Sequence, residues 1–375
     1  SVVFLLTRLG SSTVWFFLPL FFQSRIESVF LIGLMTSIPA ALPVIIDIPM
    51  GNLVQRAGEK IVIFSGLLLN LMPGLFYLTG LPLMLVLGKA FEGMVKTMIW
   101  NGGWTLALKS ADSENEGESN SVFLLGINLA AIVGPVIGGY LIAAEGFELP
   151  FTLWVLSAWL AALTFYLYIG LEGHGAFIDS IEQLFHRRTY SDDWKHLKNH
   201  WNDLKKPVSL IFSMSIIYSF FWLAIPFLLE DVTGYQTMGL IIGFAALPKL
   251  FQYVFGDLGD KYGNLRVAGI MSLLLIPVLA VTSLVQNVYL IAALFFTARM
   301  FVAGLSPVLH AYYDSQIPDK LEGEMTGFLE FFKHIGQAIG PAMAGAAASV
   351  GGISLSFQAA AAVALGLSAM IFWFR

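Results

Sequence analysis

Long apolar runs alternate with short polar breaks along this chain, and twelve of the runs approach the length of about 20 residues that an α-helix needs to cross a bilayer core. They cover residues 1–22, 29–49, 61–80, 83–107, 121–143, 149–169, 208–229, 236–255, 266–284, 287–313, 324–349 and 352–374. Too little chain is left for a soluble domain of any size. The pattern predicts an all-α membrane protein with twelve transmembrane helices. Composition changes nothing in that picture: 57% of residues are hydrophobic and 12% charged, with a mean hydropathy of +0.77.

Charge adds orientation, because Lys and Arg near span ends resist translocation. Arg56, Lys60, Lys109, Arg187, Arg188, Lys195, Lys198, Lys205, Lys206, Lys261, Arg266 and Lys320 all fall in even-numbered loops, and Arg25 alone lies on the opposite side. The expected protein is multi-pass in the cell membrane, plasma or inner, with both termini cytoplasmic. Polar Thr7, Arg8, Ser11 and Ser12 within the first span argue against a cleavable signal peptide. Cysteine is absent, which excludes disulfides and thiol chemistry.

The chain also repeats itself. Gly51-Asn-Leu-Val-Gln-Arg-Ala-Gly58-Glu-Lys60 follows span 2, and Gly256-Asp-Leu-Gly-Asp-Lys-Tyr-Gly263 follows span 8, at an offset of 205 from Gly51 to Gly256. Gly134-Pro135 in span 5 recurs as Gly340-Pro341 in span 11, at an offset of 206. Two landmarks sharing one offset predict duplication of a six-span unit, the way many secondary transporters build a substrate site at mid-membrane. The expected divisions are 1–169, a linker over 170–205, and 206–375. Within the linker, Phe177, Ile181, Leu184 and Phe185, then Trp194, Leu197, Trp201 and Leu204 after Ser191-Asp192-Asp193, have helical spacing. They predict short amphipathic helices at the cytoplasmic interface.

With these motifs in place, the sequence resembles the major facilitator superfamily. Gly256, Leu258, Asp260, Lys261 and Gly263 match the family's signature G-x-L-x-D-[RK]-x-G-[RK]; Gly51, Leu53, Arg56, Gly58 and Lys60 match it with Gln55 in place of the acid. Gly126, Gly134, Pro135, Gly138 and Gly139 are similar to its antiporter motif, and Lys89-x-x-Glu92-Gly93 to its R-x-x-Q-G motif. The resemblance implies two pseudo-symmetric six-helix bundles that alternate access to a central cavity, spans 3, 6, 9 and 12 facing lipid, and a signature acid that helps lock one state. On physical grounds alone, Gly51, Gly58, Gly256 and Gly263 are expected to supply positive φ or close approach in the cytoplasmic turns.

Ionisable groups inside a bilayer cost about 2.5–3.5 kcal/mol or more at a helix centre and usually face a partner or a wet path. Here they are Arg8 in span 1, Asp47 in span 2, Lys89, Glu92 and Lys96 in span 4, Lys249 in span 8, Arg299 in span 10, and Glu330, Lys333 and His334 in span 11. Spans 3, 6, 9 and 12 carry none. Lys89, Glu92, Gly93, Lys96 and Trp100 share one helix face, as do Glu330, Lys333, His334 and Gln337. Six cations against three anions favour a substrate bearing negative charge, and Trp15, Trp100, Tyr218, Phe220, Phe221 and Trp222 offer surface for an organic body or simply pack. Glu92 and Glu330 are equally placed to pair with neighbouring lysines as structural ion pairs. Beside Glu330, His334 becomes a proton-coupling element, since imidazole titrates near neutral pH.

The expected function is secondary transport: proton-coupled export of an amphiphilic, anion-bearing small molecule. Arg8, Lys89, Lys96, Lys249, Arg299, Lys333, Trp15 and Trp100 are the substrate-facing set, and Glu330, His334, Glu92 and Asp47 the proton-handling set. A proton-independent importer or anion exchanger, and a non-transporting sensor, are the alternatives. No His-Glu-x-x-His or nucleotide-binding loop occurs, so no enzyme, metal or cofactor is expected. Partners are the substrate, protons and lipid, without nucleic acid, and the protein is expected to act as a monomer.

Overall fold

The computed structural model describes residues 2–109, 116–170, 187–317 and 322–375, which are helical apart from short turns. We number the spans α1 (Val2–Gln23), α2 (Val29–Ala57), α3 (Glu59–Thr79), α4 (Pro82–Lys109), α5 (Glu116–Glu145), α6 (Glu148–Tyr168), α7 (Arg187–Glu230), α8 (Tyr235–Tyr262), α9 (Asn264–Thr282), α10 (Val288–Asp314), α11 (322–350) and α12 (353–374). Among the described residues, ten helical stretches are long and apolar enough to cross a membrane. The last of them contains both α11 and α12, which are separated at Gly351 and Gly352, the latter with φ +72°. α4 is long enough but carries Lys89, Glu92 and Lys96 at its centre.

The surface of these helices is that of a lipid-facing protein. On α6, Phe151, Trp154, Ala158, Ala161 and Phe165 are buried, whereas Leu156, Trp159, Leu163 and Leu167 are exposed. A soluble helix would turn charged residues outward at those positions.

Contacts divide the chain into two units, residues 1–18 with 42–192 and residues 19–41 with 193–375. Inside a bilayer, burial of apolar surface against lipid gives little drive, so helices hold together where small residues let backbones approach. In the first unit Gly10 of α1 lies on Trp154 and Ser157 of α6, and Gly134 and Gly138 of α5 lie on Ser12 and Thr13 of α1. In the second, Gly336 and Gly340 of α11 lie on Ser215 and Ser219 of α7. The repeated Gly-Pro element thus performs the same packing task in both units. Gly33 in the first half of α2 meets Pro341 and Gly345 of α11.

These contacts give one expected result. A Cβ at Gly138 would stand 2.5 Å from the Thr13 carbonyl carbon, so Gly138→Val should lower the melting temperature and reduce recovery of monodisperse protein, at an overpacking cost of about 1–3 kcal/mol. Gly51→Ala is the control, since nothing lies within 4 Å of its Cβ position; equal melting of both variants with wild type in a detergent thermal-shift assay would refute the contact.

Three expectations need correction. Gly58 and Gly263 both have φ +93°, a conformation suited to glycine, but Gly51 and Gly256 lie within α2 and α8 and have neither positive φ nor close neighbours. Their helices simply continue through the signature residues, so the turn that follows each is little more than Gly58 or Gly263. Trp194 to Leu204 belong to no separate helix: α7 starts at Arg187 and runs through Pro207. Its segment before span 7 continues the same helical spacing, and the helix persists through Pro207 despite the hydrogen bond lost there. Phe177 to Phe185 lie outside the described residues. Span 8 is not continuous, since Leu247–Phe251 forms a 3-10 turn with Pro248 near its start.

Candidate functional site

In the first unit the interior charges gather on Glu92. Residues 89 and 92 stand one turn apart on α4, which brings the Lys89 ammonium to 3.1 Å from Glu92 Oε1 and 3.2 Å from Oε2. Trp15 Nε1 donates to Oε2 at 3.2 Å, and the Tyr77 hydroxyl donates to Oε1. Lys89 Nζ also lies 6.0 Å from the Trp15 ring centroid. Gly88 leaves room for the Tyr77 ring, which is wedged against Phe151 and Trp154. Trp154 in turn donates to Asn70 at 3.1 Å. The Lys89 and Glu92 side chains are 2% and 6% exposed, so the carboxylate is enclosed by three donors, each positioned by packing.

Arg8, Lys96 and Asp47 are half-buried. Trp100 is exposed and stacks on Trp104, with centroids 6.1 Å apart. Gly134 and Gly138 support the α1 backbone beside the network, Pro135 lies within α5, and Gly139 is buried. At the end of α4, Lys109 bonds Glu59 of α3 at 2.8 Å, and Arg56 is exposed.

The second unit holds two clusters. Glu330 and Lys333, one turn apart on α11, pair at 2.7 and 3.0 Å through both carboxylate oxygens. Their side chains are 30% and 24% exposed. His334 on α11 and His310 on α10 lie within electrostatic reach of Glu330, and His310 Nδ1 is 2.7 Å from the Ser306 carbonyl. The other cluster centres on Tyr218 of α7. Lys249, presented by the 3-10 turn in α8, hydrogen-bonds the Tyr218 hydroxyl at 3.3 Å and has its Nζ 5.5 Å from the ring centroid. Arg299 of α10 places its Cζ 5.2 Å from the same centroid, and Trp222 stands edge-on to the ring at 5.7 Å.

Sequence spacing found the two Lys–Glu pairs but not Tyr77 or Asn70, which come from α3, a span without interior charge. It grouped Phe220 and Phe221 with Tyr218 and Trp222; these two pack on Phe357 and Phe295 in the core. Asp260 and Lys261 are exposed, with Lys261 5.2 Å from the Tyr262 ring centroid.

Membrane-spanning helices that are interrupted near buried charges, at Trp15–Phe17 in α1 and Leu247–Phe251 in α8, define a polytopic transporter, since broken helices with ionisable side chains are how transporters form binding sites. The profile of the Major Facilitator Superfamily matches residues 1–248 and 208–375, and the chain belongs to that superfamily. It is 26% identical over 328 residues to the quinolone resistance protein NorA of Staphylococcus aureus, covering 84% of this chain and 80% of that one. Among solved structures it is similar to a POT family transporter in complex with a thioalcohol-conjugated peptide, with a TM-score of 0.79 at 14% identity over 100% of this chain and 94% of that one. It is also similar to the nucleoside transporter NupG, with a TM-score of 0.78 at 13% identity over 100% and 98% of the two chains. Family and fold relatives are transporters rather than enzymes.

Proposed function

We propose that the protein is a proton-coupled exporter of amphiphilic, anion-bearing organic molecules, acting as a monomer in the cell membrane with both termini cytoplasmic. The observation that carries the coupling is the Glu330–Lys333 pair. Its side chains are several times more exposed than Lys89 and Glu92, so a proton can reach it without unpacking a helix. With Glu330 ionised, Lys333 would take the substrate's anionic group while the Glu330 carboxylate accepts a hydrogen bond from the same molecule. Protonation of Glu330 would remove that acceptor and release the substrate, which is antiport because proton and substrate compete for one carboxylate. His334, His310 and, through His310, Asp314 set the field in which that exchange occurs. A relative named for quinolone resistance supports an aromatic amphiphile as cargo.

Inside-out vesicles from cells producing the protein test this reading. On energisation they should accumulate nalidixate, a quinolone carboxylate, above vesicles without the protein, and collapse of the pH gradient with nigericin should remove the difference. Accumulation that survives nigericin would contradict proton coupling, and uptake confined to right-side-out vesicles would contradict export.

A further inference from the structure

The Tyr218 cluster differs from the other charged sites in lacking an acid. Lys89 has Glu92 and Lys333 has Glu330. Among the described residues, no carboxylate forms an ion pair with Lys249 or Arg299. Arg299 is 7% exposed, and its Nη1 is buried with no hydrogen-bond partner. Both cations lie within 5.5 Å of one ring centroid, so their charges are no farther apart than those two distances laid end to end. Such an arrangement repels itself, and a ring face offsets only part of the cost of two desolvated cations. What completes it is an anion.

We propose that Tyr218, Trp222, Lys249 and Arg299 form the subsite for the carboxylate of an aromatic organic anion. The open edge of the Arg299 guanidinium provides the planar fork that carboxylates accept. Lys249 supplies a second charge from a turn whose Pro248 keeps it out of regular helix, and the perpendicular faces of Tyr218 and Trp222 make an apolar corner for the ring carrying the acid. The assignment rests on the transport reading for its biological use, but binding at this subsite does not depend on coupling or direction.

Equilibrium binding of radiolabelled 2-naphthoate and 2-naphthamide to the full chain in phosphatidylcholine nanodiscs tests the subsite without any gradient. Wild type should bind the acid at least about tenfold more tightly than the amide, as charge-assisted pairing requires. Arg299→Gln and Lys249→Gln should each weaken the acid roughly tenfold while changing the amide less than about twofold, and Arg299→Lys should recover part of the loss. Equal losses for acid and amide in variants that elute as folded monomer would overturn the proposal, as would no preference for the acid in wild type. An anionic lipid headgroup shares the chemistry. If phosphatidylglycerol in the nanodisc suppresses naphthoate binding to wild type by more than about tenfold, the site belongs to lipid and the assignment to a mobile carboxylate fails. Vesicle transport without naphthoate binding would sink this subsite alone; binding without coupled transport would sink the export reading alone.

Discussion

Glu92→Leu is expected to destabilise the protein by about 3–5 kcal/mol, the cost of leaving a buried charge without its partner. Lys89 is 2% exposed and cannot reach solvent from its place under Trp15 and Tyr77. Removing the carboxylate also takes away the acceptor to which the Tyr77 hydroxyl and the Trp15 indole N–H donate. Adding Lys89→Met in the same chain should recover most of the loss, because apolar residues of similar volume replace buried ion pairs at little cost. Thermal unfolding of the two variants in detergent decides the point. A Glu92→Leu protein melting with wild type would mean that the network does not hold α1, α3 and α4 together.

Glu330→Gln is expected to reduce pH-gradient-driven transport to the level of empty liposomes while substrate counterflow stays within about twofold of wild type. The amide keeps the shape and can still hydrogen-bond, but it can neither bind nor release a proton. Counterflow needs only the substrate site and the conformational cycle, so it separates coupling from folding. The two interior carboxylates differ in exposure, the Glu330 side chain being 30% exposed and Glu92 only 6%. Full gradient-driven transport by the variant would reduce Glu330 to a structural partner of Lys333 and move the proton path to Glu92 or Asp47.

Hydrophobic run length was enough to reveal the spans, because a bilayer imposes one length on every helix that crosses it. The duplication was legible in the same way, and it returns as packing: Gly134 sits on Ser12 as Gly340 sits on Ser219, and Gly58 and Gly263 share one backbone angle. Pairs one helical turn apart, Lys89 with Glu92 and Glu330 with Lys333, needed nothing beyond helix geometry. What spacing cannot reach is contact between helices. Tyr77 and Asn70 lie in a span without interior charge, where helical spacing alone does not single them out. The break in α8 at Leu247–Phe251 was absorbed into one apolar run by its length, although Pro248 near its start is the residue that signals it. Hydropathy records burial and is blind to the backbone. For the same reason Gly51 and Gly256 looked like turn residues, although the helices pass straight through them.

The most direct test of proton-coupled export follows protons while substrate moves. Liposomes containing the protein and the pH dye pyranine, with no initial pH gradient and the potential clamped by potassium and valinomycin, are given nalidixate outside. Passive entry of a weak acid acidifies the lumen, as empty liposomes will record. Exchange of substrate for protons instead drives protons out, so the lumen of protein-containing liposomes should become more alkaline than that of empty ones, and the difference should vanish in Glu330→Gln. Protein-dependent entry of nalidixate with a lumenal pH trace identical to that of empty liposomes would contradict proton coupling.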